Sequence, residues 1–175
     1  MISCPDIPVI HPASLASKVL LNDCDVRFAR RSGPGGQNRN KVETAAILTH
    51  RPSGLAAEAN EKRSQSQNRE TALFRLRIIL ALKIRTVREP NDIPSVLWKS
   101  RFPKGRLAIN PRHEEFPAIL AEALDVIALQ SGDLRASAEA LCSTSSQLIK
   151  LLKDEPKAFL FFNEDRRARG LPVLS

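Results

Sequence analysis

From Ser66 to Arg85 the apolar residues Leu73, Leu76, Leu80 and Ile84 recur at helical spacing, while Arg69, Arg75, Lys83 and Arg85 fall largely on other faces. A helix of this length with one apolar stripe needs a surface to pack on, and the residues before it supply a small sheet. Cys24-Asp25-Val26-Arg27-Phe28-Ala29-Arg30 alternates in the period of a half-buried strand, and Ala45 to His50 reads as a second strand. Arg51-Pro52-Ser53-Gly54 has the composition of a turn, after which Leu55 to Ala59 can return antiparallel, although alanine is a poor strand former. Val42-Glu43-Thr44 is expected to form one helical turn. Upstream, residues 1–12 with Pro5, Pro8 and Pro12 read as extended or loose. A short helix follows, with Leu15, Val19 and Leu20 on one face and Asn22-Asp23 at its end.

Beyond the long helix, Glu89-Pro90-Asn91-Asp92-Ile93-Pro94 breaks the pattern and marks a boundary. Trp98 to Arg106 is basic with two aromatics, Trp98 and Phe102, which either stack on RNA or dock on the core. From Glu114 the chain reads as helical. Phe116, Ile119, Leu120, Ala123, Leu124 and Ile127 form one apolar face, and Ser131-Gly132-Asp133 ends that helix and starts the next. Leu134 to Lys153 has the spacing of a helix-turn-helix, with Ala138 and Leu148 at packing positions and Cys142 where the turn normally holds glycine. Two helices packed in a small bundle fit the same residues. A last helix is expected from Pro156 to Arg169. The expected fold class is α+β: a small mixed or antiparallel sheet with a packed long helix and an exposed glycine-rich loop, then an all-α C-terminal module. The segments are 1–23 (extension), 24–88 (sheet and long helix), 89–112 (basic linker) and 113–175 (helical module).

Charge is concentrated in the middle of this 175-residue chain. Between Arg27 and Arg112 there are 19 Lys/Arg against 6 Asp/Glu, whereas residues 113–175 carry 7 against 10. A solvated surface would spread its cations more evenly, so a nucleic acid is the economical partner. No apolar run approaches the roughly 20 residues of a membrane span and no secretory signal opens the chain, so a cytoplasmic protein without a membrane partner is expected. Cys4, Cys24 and Cys142 are scattered and read as reduced structural thiols. His11, His50 and His113 are dispersed surface or packing residues, and neither a metal nor a cofactor is implied.

The chemistry is carried by Ser32-Gly33-Pro34-Gly35-Gly36-Gln37-Asn38. Glycine admits backbone conformations closed to other residues and lets a second molecule approach the main chain. By itself this is a turn. Its setting between Arg30, Arg31, Arg39 and Lys41 places the exposed backbone in a cationic field suited to a polyphosphate. Neither G-x-x-x-x-G-K-[ST] nor G-x-G-x-x-G is present.

Together with Asp25-Val26-Arg27, Asn40-Lys41, Leu48-Thr49-His50, Pro52-Ser53-Gly54 and Arg63-Ser64-Gln65, the loop resembles the catalytic domain of bacterial class I peptide chain release factors. The resemblance covers roughly Cys24 to Arg85. It implies hydrolysis of the ester joining a nascent peptide to tRNA, inside the peptidyl-transferase centre. Catalysis is then expected from Gly35, Gly36 and Gln37, with the Gln37 main-chain N–H offered to the developing oxyanion or leaving oxygen and its side chain shaping the water pocket. The residues expected to meet RNA are Arg30, Arg31, Ser32, Asn38, Arg39, Asn40, Lys41, Arg63, Gln65 and Arg69. The implied partners are the ribosome, through large-subunit rRNA, and peptidyl-tRNA, with a glutamine methyltransferase acting on Gln37 as a further candidate; a monomer is expected.

Two features depart from the decoding factors. Arg39 stands where they usually carry a small apolar residue, and it either adds a phosphate contact or alters how the loop reaches the centre. Only 23 residues precede Cys24, and no stop-codon tripeptide sits in a context that presents it. The expectation is therefore a codon-independent factor that rescues stalled ribosomes. The alternatives are a non-hydrolytic ribosome- or RNA-binding factor, and a DNA-binding regulator using Leu134 to Lys153.

Overall fold

The computed structural model describes residues 10–30 and 43–174. They fall into two compact units, Pro12–Lys83 and a second made of residues 10–11 with 84–174.

The first unit is a three-stranded antiparallel sheet with a helix on one face. Strand β1 (Cys24–Ala29) pairs with β2 (Ala45–His50), and β2 pairs with β3 (Ala56–Ala59), in the order β1-β2-β3. Cys24 lies opposite His50 and Ala29 opposite Ala45. The β2–β3 turn closes on the His50 carbonyl, which accepts from the N–H groups of Ser53 and Gly54, and Gly54 takes the left-handed φ of +70° that favours glycine. Helix α2 (Gln65–Lys83) packs on β2 and β3. Its Ala72, Leu73, Leu76 and Leu80 are buried, as are Ala46, Leu48, Ala57 and Ala59 of the sheet. The strand alanines are small enough to admit the helix's leucines, and each leucine buried this way contributes about 1.5–3 kcal/mol. Arg77 is buried too and donates Nε–H to the Ala13 carbonyl at 3.0 Å, which ties the 3-10 turn Pro12–Ser14 to α2.

Several expectations are corrected in this unit. Glu43 and Thr44 are not helical; their carbonyls are taken by side chains of α2, described below, and the chain runs directly into β2. Val42 lies outside the described residues. In α1 (Ser17–Asn22) only Leu20 is buried, because a helix of six residues offers little more than one contact; Leu15 precedes it and Val19 is exposed. Helix α2 stops at Lys83, so Ile84 and Arg85 do not belong to it. Strand β1 ends at Ala29, and Phe28 is 40% exposed on this edge strand.

The second unit is built around α4 (Phe116–Leu129), buried from Phe116 to Ile127. Two acids lie within it, and both are satisfied. Glu122 accepts from the N–H and hydroxyl of Ser95 at 2.7 and 2.5 Å. Asp125 accepts from the Thr86 N–H and hydroxyl at 3.1 and 2.6 Å and from Arg88 Nε at 3.0 Å. His11 lies with this unit, its Nε2 at 3.2 Å from the Ile84 carbonyl. Segment 89–112 therefore packs on the helices, and it contains α3 (Val96–Ser100). Trp98 is buried, donates Nε1–H to the Leu141 carbonyl at 3.0 Å and stacks on Phe102. Of the two roles open to Trp98, docking on the core is the one observed; its ring is not free to stack on RNA.

Helices α5 (Leu134–Ala140), α6 (Ser145–Asp154) and α7 (Pro156–Ala168) complete the unit. Asp133 and Thr144 cap α5 and α6, accepting from backbone N–H groups at 2.8–3.1 and 3.3 Å. Ala138 and Leu148 are buried, and Cys142 between them holds a φ of +50°. The last helix ends one residue before the expected Arg169, which caps it. The fold is α+β, with the sheet entirely antiparallel. Among the described residues no helix is long and apolar enough to cross a membrane.

Candidate functional site

Segment 31–42 joins β1 to β2. Arg31, Ser32, Gly35, Gly36, Gln37, Asn38, Arg39, Asn40 and Lys41 lie within it, outside the described residues. The described part of the site is the pair of chain ends that carry this segment, together with the first turns of α2.

The two ends are fixed by the sheet. Ala29 and Ala45 are opposite one another in register, so Arg30 and Glu43-Thr44 leave from the same end of the β1–β2 ladder. Arg30 Nε stands 3.5 Å from Glu43 Oε1, with both side chains more than half exposed. Gln65 donates Nε2–H to the Glu43 carbonyl at 2.5 Å. One turn further on, Asn68 is fully buried and uses its amide on three backbone groups. Its Nδ2 donates to the Thr44 and Lys62 carbonyls at 2.6 and 2.8 Å, and its Oδ1 accepts from the Lys62 N–H at 2.9 Å.

The first turn of α2 has no acidic residue, its Gln67 N–H is met by the Ser64 hydroxyl at 3.4 Å, and Arg63 and Arg69 are exposed beside it in sequence. Arg75 is used internally. It donates to the Glu58 carbonyl at 2.7 Å and to Glu61 at 2.5 Å, which holds the Glu61 carboxyl below its ordinary value. Of the expected RNA-facing residues that are described, Arg63 and Arg69 are open to solvent, while Arg30 and Gln65 are engaged with Glu43.

Glu43 and Asn68 were not legible as site residues. The signal for Asn68 was its place on the helix: it precedes Ala72 by four residues and Leu76 by eight, a polar side chain on an apolar stripe, where burial requires partners.

Residues 14–101 match the family model of the RF-1 domain. The stretch begins upstream of Cys24 and extends through α3, more than the sequence blocks alone delimit. The chain belongs to this family, that of the catalytic domain of class I peptide chain release factors. It is 32% identical over 160 residues to peptide chain release factor 1 of Leptothrix cholodnii, a match that covers 81% of this chain and 44% of the relative. It is 58% identical over 55 residues to peptide chain release factor 1 of Chloroherpeton thalassium, covering 31% and 15%. Against the chloroplastic peptide chain release factor PrfB1 of Arabidopsis thaliana the identity is 42% over 71 residues, covering 41% and 16%. The chain thus spans less than half the length of these relatives.

Proposed function

We propose that this protein hydrolyses the ester of peptidyl-tRNA within the ribosomal peptidyl-transferase centre. The observation that carries the reading is membership of the RF-1 domain family together with an intact Gly35-Gly36-Gln37 on the segment between β1 and β2. An ester needs a positioned water and a donor aimed at the oxygen that gains charge. The Gln37 main-chain N–H is the donor in this reading, and its side chain bounds the water; Gly35 and Gly36 let the backbone lie close to the tRNA terminus. Arg63 and Arg69, with the positive end of α2, are suited to phosphates of large-subunit rRNA. Residues 24–88 carry the chemistry and residues 89–175 support or recruit it, the whole acting as a monomer with Gln37 open to side-chain methylation.

The finer reading is release without a codon in the A site, as in rescue of stalled ribosomes. The test is peptide release from ribosomes holding peptidyl-tRNA on truncated mRNA, on a stop codon and on a sense codon. Release on truncated mRNA that Gln37→Ala abolishes supports both readings. Release on the stop codon alone removes codon independence, and ribosome binding without release in any complex supports the non-hydrolytic alternative.

A further inference from the structure

We propose that Gln65 and Asn68 are positioning residues for the hydrolysis, acting by fixing Glu43-Thr44, the end of the catalytic segment at which it enters β2; the inference rests on the function proposed above. Two amides from one turn of α2 hold two consecutive carbonyls, Glu43 by Gln65 at 2.5 Å and Thr44 by Asn68 at 2.6 Å. The same Asn68 amide holds both backbone groups of Lys62, so the strand start and the connection into α2 are locked to one side chain. A buried amide with three backbone partners is stiff, because turning it away leaves its own buried oxygen and nitrogen without partners. Helix α2 is in turn fixed on the sheet by Leu73, Leu76 and Leu80. The core of the first unit thereby sets where the segment leaves the sheet.

Gln65 separates this role from ordinary packing. It is exposed, so it adds little to the core, yet its amide is aimed at a single carbonyl beside the catalytic segment. A contact with RNA would alter affinity, whereas a fixed root alters the rate in the bound state. Small displacements of a reacting group are costly, on the order of a hundredfold in rate for about 1 Å.

The test is single-turnover peptide release at saturating protein, with ribosome affinity and thermal unfolding measured in parallel on the full chain. Gln65→Ala is expected to lower the maximal rate by about tenfold and Asn68→Ala by on the order of a hundredfold. The concentration for half-saturation should be unchanged in both, and the melting temperature unchanged in Gln65→Ala. Gln65→Lys keeps a donor of similar reach and is expected to recover most of the rate, while Gln65→Glu, which sets a carboxylate against the Glu43 carbonyl, is not. An unchanged maximal rate in Gln65→Ala, or a loss in affinity alone, overturns the inference and leaves the hydrolase reading standing. A wild-type protein that releases nothing overturns both.

Discussion

The guanidinium of Arg30 and the carboxylate of Glu43 face each other at 3.5 Å across the two ends of segment 31–42. Both are exposed, and ion pairs of this kind contribute about 0–1 kcal/mol because water and salt screen them. Glu43→Gln should therefore lower stability by less than about 1 kcal/mol in chemical denaturation, with the difference vanishing in high salt. A larger loss would mean that the pair organises the ends of the segment beyond its Coulomb energy.

Asp125 has a side chain with no exposure and meets Arg88, Thr86 and, at 3.6 Å, Arg85. Removing one member of such a group leaves buried charge unpaired. Asp125→Ala should destabilise by about 3–5 kcal/mol in urea unfolding, and Asp125→Asn, which keeps the shape, by less.

The same physics explains why the end of the long helix was not legible. Periodicity carries the stripe from Leu73 through Leu80 to Ile84, and nothing local stops it. The N–H of Thr86 is taken by Asp125, a residue 39 positions later, and one-dimensional spacing does not contain that bond. Trp98 had two readings for a similar reason: the basic neighbours that suggested RNA are local, while the Leu141 carbonyl that accepts its N–H is 43 positions away. By contrast the β2–β3 hairpin was readable because Pro52 and Gly54 punctuate it locally. Its alanines, poor strand formers, are explained once α2 is seen to lie against them. At the candidate site the glycine loop and its cations were legible, but the amides of Gln65 and Asn68 that hold its end depend on register between α2 and β2.

Trp98→Ala should cost about 3–5 kcal/mol through the lost ring and the cavity it leaves. Trp98→Phe fills most of the space yet orphans the Leu141 carbonyl, for about 1–3 kcal/mol. A loss near zero for Trp98→Phe in urea titrations would argue against a role for the hydrogen bond.

Cys142 holds its φ of +50° at the turn between α5 and α6. A side chain in this region costs about 1–2 kcal/mol relative to glycine, partly offset by glycine's greater freedom in the unfolded chain. Cys142→Gly should be neutral or stabilising, whereas Cys142→Val should lower the melting temperature.

Burial pushes the imidazoles of His11 and His50 below their ordinary value of 6.5, against the opposing influence of Asp125 on His11 and Asp23 on His50. Arg85 and Arg88 beside His11, and Arg51 beside His50, add to the lowering. The unfolded chain then binds more protons than the folded one as pH falls below about 6.5, so stability is full above that value and declines beneath it. Unfolding midpoints measured across this range should drop, and His11→Gln should flatten the slope if it folds. A midpoint that rises on acidification through the same range would contradict the burial of both rings.

The most direct measurement is peptide release from ribosomes that hold peptidyl-tRNA on truncated mRNA, comparing the wild-type protein with Gln37→Ala at equal ribosome occupancy. Release by the wild type and its loss in Gln37→Ala, with binding retained, is the expected result. Equal release by the two proteins, or none by the wild type on any ribosomal complex, would contradict the assignment of ester hydrolysis to this chain.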